Sequence, residues 1–195
     1  MTPRRIHITG GQGSGKTTLA ARLRDRTGLP VHGLDAIARI GGGNGPARTS
    51  AERDALVASI AWSDEWITEG VHLGWTTPLL ERADAIVWLD HVSPTAASGR
   101  MLRRFASGAL HELRTRRGRQ RFTRVGDYLR HTRDLGAALR GSRSANDPEA
   151  YEIALAPWAD TLVRCRTAAD VDAFVRSVTP DSSPTVGVST GERAA

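Results

Sequence analysis

The sequence predicts an α/β protein built on a parallel sheet of five strands with helices on both faces. Three observations predict it. Short runs rich in Ile, Val and Trp alternate with helix-spaced segments, a glycine-rich loop follows the first run directly, and three of the runs end on an acid. Alternation of this kind implies right-handed crossovers and a three-layer arrangement.

The elements follow in chain order. Residues 5–9 (RIHIT) read as the first strand, and the glycine-rich loop leads into helical spacing over residues 17–23. Residues 29–34 read as a second strand ending at Asp35, and the glycine-rich residues 41–46 form a loop. Thr49 and Glu52 have capping-box spacing, so a helix runs to about Ala61. Residues 65–68 make the third strand, closed by Glu69-Gly70, and Thr77-Pro78 opens a short helix to Arg82. Residues 85–89 are the clearest strand and end at Asp90. Ser93-Pro94 offers an N-cap and a proline at the first helical position, for a helix to about Phe105. Residues 109–124 are arginine-dense, residues 125–140 read as a helix, and residues 141–148 as a turn-rich break. The fifth strand is expected over residues 160–165, and Thr167 with Asp170 caps a final helix to about Val178. From residue 179 onward Pro, Ser, Thr and Gly dominate, which predicts a disordered tail over 179–195.

A chain of 195 residues suits one domain, here 1–178. No apolar run approaches a membrane span, and the first residues carry no secretory hydrophobic region. Cys165 is the single cysteine, and its apolar flanks make it a packed strand residue. A cytoplasmic setting is the expectation. The net charge of +6 favours anionic partners, and its source is almost wholly arginine, because Lys16 is the only lysine.

Lys16 stands in the strongest motif. Gly10-Gly11-Gln12-Gly13-Ser14-Gly15-Lys16-Thr17 matches Gly-x4-Gly-Lys-Thr between a strand and a helix. Glycines let backbone N–H groups turn inward around phosphate oxygens, and the helix start points its positive end at the same anion. Gly11, Gly13, Ser14, Gly15, Lys16, Thr17 and Thr18 are therefore the expected ATP-binding residues, with Lys16 on the terminal phosphates and Thr17 on magnesium. Asp35, Glu69 and Asp90 should lie on the same sheet edge. The assignment gives Asp35 the acceptor hydroxyl and Glu69 the magnesium-bound water or an alternative base. For Asp90, capping the helix at Ser93 is an equal reading.

Arg100, Arg103 and Arg104 share one helix face, and Arg114, Arg116, Arg117, Arg119, Arg121 and Arg124 follow. A solvated surface and a lid of about residues 106–124, closing over the triphosphate, are both readings of this segment. Trp62, Trp66, Trp75, Trp88 and Trp158 read mainly as packing residues, with Trp75 placed to stack on an acceptor. His32, His72 and His111 lack metal-ligand spacing.

Together these residues resemble the adenylate-kinase-like P-loop kinases, and within them the small bacterial DNA topology modulation proteins. The phosphate loop, Leu34-Asp35, Trp66-Ile67-Thr68-Glu69-Gly70, Ile86-Val87-Trp88-Leu89-Asp90 and the Arg100/Arg104 pair carry the resemblance across most of residues 4–178. It implies a five-stranded parallel sheet, nucleotide at residues 13–18, an acceptor site after Asp35, magnesium assistance from Glu69, and Arg100 and Arg104 bracketing adenine and phosphates. This sequence departs from the pattern at three places. Glu69 replaces the usual aspartate, no proline stands two residues after Asp90, and residues 41–46 replace an aromatic, proline-containing stretch.

The expected activity is ATP-dependent transfer of a phosphate to a small molecule. The alternative is a nucleic-acid-associated NTP-binding protein whose arginine segment holds phosphate backbone, although Phe122 and Tyr128 are the only aromatics in residues 109–133. Neither the acceptor nor the oligomeric state follows from the sequence.

Overall fold

The computed structural model describes residues 2–11, 13–41, 45–90 and 148–178. The expected helices from Ser93 and over 125–140, Arg100 and Arg104, the lid and the tail lie outside these residues. In order come β1 (Arg5–Gly10), α1 (Lys16–Thr27), β2 (Val31–Gly33), α2 (Leu34–Ala38), α3 (Ser50–Ala61), β3 (Trp66–Glu69), α4 (Thr77–Arg82), β4 (Ala85–Leu89), α5 (Pro148–Leu155), a 3-10 turn (Ala156–Trp158), β5 (Leu162–Cys165) and α6 (Ala168–Ser177).

All five strands pair in parallel, in the order β2-β3-β1-β4-β5. Strand side chains alternate between the two faces, and the core divides accordingly. Ile6, Ile8, Ile67, Val87, Leu89 and Cys165 pack with α1 and α6. Trp66, Ile86 and Trp88 pack with α2, α3, α4 and α5. The three layers expected from the alternation are thus present. Cys165 is buried, and desolvation pushes its thiol up to about 11, as suits a packing residue.

Local signals account for the helix starts. The side chain of Thr49 accepts from the Glu52 amide while Glu52 reaches back to Thr49, and Thr167 and Asp170 repeat the exchange. At the opposite end of the sheet from the phosphate loop, Asp84 accepts from the Arg4 and Arg5 amides (2.9 Å each) and from the Arg5 guanidinium. That ties the start of β1 to the turn before β4.

Two helices, α2 and α5, depart from expectation. β2 stops at Gly33, so Asp35 lies in the first turn of α2 and does not close a strand. The cause is Leu34, fully buried in the second core cluster, which turns the chain inward. α5 was not foreseen; its buried Tyr151 and Leu155, one turn apart, hold it against Trp88 and the second cluster. Among the tryptophans, Trp66 and Trp88 are core residues, whereas Trp62 is 74% exposed beneath the Arg82 guanidinium. No described helix is long and apolar enough to cross a membrane.

Candidate active site

The loop between β1 and α1 hangs from the central strand of the sheet. Gly10 has φ +139°, and a Cβ there would stand 2.6 Å from the Leu89 carbonyl oxygen, so only glycine lets the chain leave β1 at this point. Gly15 is the N-cap of α1 at φ +99°, with no side-chain cap. The first-turn N–H groups are left for an external acceptor, reinforced by the helix dipole. Ser14 is buried, and its Oγ has no hydrogen-bond partner among the described residues. These donors without acceptors fit a phosphate chain. Thr18 is exposed and, with Ser14, Gly15, Arg22, Ala168 and Asp172, borders a cleft of about 190 Å³ beside the start of α1.

Lys16 is buried, and its ammonium folds back to donate to the carbonyls of Gly10 (2.8 Å) and Gly11 (2.7 Å). Burial lowers its pKa, with the charges of Glu69 and Asp35 acting in the opposite sense. The Thr17 hydroxyl donates to Oε1 of Glu69 at 3.3 Å. A hydroxyl and a carboxylate side by side form an all-oxygen donor pair, the kind that suits magnesium.

The sheet places Lys16, Thr17 and Glu69 together because β3 lies directly beside β1, with Glu69 level with Ile8. Gly70 then brings the following loop against α2, where its missing side chain leaves room for Leu34. Asp35 joins the cluster from α2. Its Oδ1 accepts from Nε2 of His72 at 3.0 Å, and that hydrogen bond is the chief cause holding its carboxyl below the usual range, with burial opposing. No local signal announces this partnership, since the two residues are 37 positions apart. Trp75 does not stand free for an acceptor: it stacks on His72 at 5.1 Å and carries the Arg53 guanidinium 5.0 Å from its ring centre.

The third acid turns elsewhere. Asp90 pairs with Arg164 (2.7 Å), whose guanidinium lies over Trp88 and also reaches Glu152. Parallel pairing sets Trp88 beside Arg164, so the arginine intercepts Asp90 and ties β4, β5 and α5 together. The convergence of three acids expected from strand ends is a convergence of two.

No protein-family model matches the chain, and no curated protein does. Solved structures to which it is similar include a sugar kinase from Janibacter sp. (26% identity, TM-score 0.36, 50% of this chain and 65% of that one). Another is shikimate kinase from Aquifex aeolicus (18%, 0.34, 45% and 64%). Shikimate kinase from Acinetobacter baumannii in complex with shikimate also matches (16%, 0.47, 89% and 89%). The chain spans just under two thirds of the length of the first two. All three scores lie below one half.

Proposed function

We infer that this chain is a magnesium-dependent phosphotransferase that moves the terminal phosphate of ATP to a small-molecule acceptor. The observation that carries the reading is the grouping of a lysine ammonium, a threonine hydroxyl and two carboxylates over the uncapped start of α1. Phosphoryl transfer asks for positioning and charge neutralisation more than for covalent help. Lys16 and the α1 amides supply the positive field, and Gly11, Gly13, Ser14, Gly15 and Thr18 shape the cradle. Thr17 and Glu69 would hold magnesium, which when bound shields the phosphate charge. Asp35 orients the acceptor. Arg100 and Arg104 are proposed to add charge from the segment that follows β4. The finer likeness to the DNA topology modulation proteins rests on the sequence motifs alone.

The test is a mass-spectrometric screen with labelled ATP against sugars, hydroxy acids, nucleosides and nucleotides. ADP should form with an acceptor present, and the acceptor should gain a phosphate. Lys16→Ala should weaken MgATP binding about 10- to 100-fold, the scale of a charge-assisted hydrogen bond, and abolish transfer. Asp35→Asn should keep binding and lose transfer. Salt-sensitive nucleic-acid binding that survives Lys16→Ala, with no acceptor phosphorylated, would reverse the reading in favour of a nucleic-acid role.

A further inference from the structure

We propose that His72 is the positioning residue of the acceptor site: it fixes Asp35 through Oδ1 and leaves Oδ2 to take the hydrogen bond of an acceptor hydroxyl. The proposal rests on the phosphotransferase reading above and names its acceptor class.

The geometry begins with Asp35. Its side chain is 80% exposed, and among the described residues His72 is its one hydrogen-bond partner. An exposed carboxylate with no partner samples several rotamers, and ordering it on arrival of the acceptor would oppose transfer. An ionised carboxylate can only accept, so Nε2 of His72 must carry the proton.

His72 is itself held firmly. Its carbonyl accepts from the Thr76 hydroxyl at 2.6 Å, and Thr76 is fully buried. Its ring stacks on Trp75 with an interplanar angle of 28°, and Arg53 of α3 closes the far end of the column. Arg53, Trp75, His72 and Asp35 thus form one continuous series of contacts running from a helix to the reacting side of the sheet. The groups facing Asp35 are His72 from the loop after β3, which supplies the hydrogen bond, and the charges of Lys16 from α1 and Arg39 just after α2. These keep the carboxylate ionised. In that state Oδ2 takes a proton-bearing hydroxyl and repels a phosphate oxyanion, so an alcohol is favoured over a nucleotide phosphate as acceptor.

The experiment compares wild type, His72→Ala, His72→Gln, His72→Asn and Asp35→Asn. The acceptors are glycerol, D-glucose, D-gluconate, uridine and AMP, with MgATP as donor. Fluorescent mant-ATP reads nucleotide binding, and carboxyl carbon NMR follows the titration of Asp35. His72→Ala should lower transfer to the hydroxyl acceptor about 10- to 100-fold, the scale of a misplaced reacting group, with mant-ATP affinity within about twofold of wild type. Glutamine places an amide nitrogen near the position of Nε2 and should restore most of the rate, whereas the shorter asparagine should not. The Asp35 titration should move up in the Ala and Asn variants and return in the Gln variant.

Full activity in His72→Ala, equal losses in the Gln and Ala variants, or an unmoved Asp35 titration would each overturn the proposal. AMP as sole acceptor, phosphorylated on its phosphate and not on a ribose hydroxyl, would overturn the hydroxyl assignment. Wild type that binds mant-ATP yet phosphorylates none of the five overturns the phosphotransferase reading and the acceptor role with it. In that event the Asp35 titration still decides separately whether His72 holds the carboxylate. Should His72→Ala fail to fold, the Gln and Asn variants make the comparison.

Discussion

A Cβ at position 70 would stand 2.6 Å from the Cβ of Leu34 and 2.8 Å from its Cδ1, and Leu34 is fully buried. Gly70→Ala must therefore push the loop after β3 away from α2 or displace a core leucine. Overpacking of this kind costs about 1–3 kcal/mol, measurable by urea unfolding. It should also separate His72 from Asp35, so transfer should fall while ATP binding survives. His7 carries a second residue-scale expectation. It is fully buried, its Nδ1 lies 2.8 Å from the Thr68 hydroxyl, and desolvation lowers its pKa from 6.5 to about 4. The folded protein then binds fewer protons than the unfolded chain between those values. The contribution is complete above pH 6.5 and is lost as pH falls toward 4, about 3 kcal/mol in all. Asp84 and Asp170, whose carboxyls are held below 3.8 by the backbone and side-chain groups they accept from, lose their contribution only at lower pH. Urea midpoints from pH 7 to pH 4.5 should reveal the histidine window, and His7→Gln should flatten it.

At the scale of elements, the two capping boxes allow a paired test. Thr49→Ala and Thr167→Ala should each destabilise by about 1 kcal/mol. Because α3 and α6 pack on opposite faces of the sheet, the double variant should show the sum to within about 0.5 kcal/mol. Both boxes were legible in the sequence because Thr-x-x-Glu and Thr-x-x-Asp act within one turn. The strands were legible for a similar reason, since Ile6 and Ile8 face one way and His7 and Thr9 the other. The start of α2 was not, because Leu34 reads as strand until its burial beneath the sheet face is known. Nor was α5, whose hold on the core is Tyr151 and Leu155 after a turn-rich stretch. In the site, the phosphate loop follows from local spacing, and the placing of Glu69 on its edge of the sheet follows from the strand ends of a parallel sheet. The bonds of Asp35 to His72 and of Asp90 to Arg164 depend on side chains brought together only by the fold.

For the whole molecule, ligand binding and stability are linked through the central strand. β1 pairs with both β3 and β4 and ends in the phosphate loop, so a nucleotide held there stabilises the sheet as a unit. MgATP at about 100 times its Kd should add roughly 2.7 kcal/mol to unfolding stability, and a thermal shift assay at the same concentration should find the gain reduced to about 0.4–1.4 kcal/mol in Lys16→Ala. The inward fold of Lys16 gives this linkage a particular form. Its ammonium already holds two backbone carbonyls, so an arriving triphosphate displaces Gly10 and Gly11 from the lysine as well as water. The loop carries its own competitor, and measured affinity reports the difference between two sets of contacts. Since the chain has no other lysine, carbon-13 methylation of amines gives a single side-chain NMR signal, apart from that of the terminal amine. That signal would follow the exchange of partners directly.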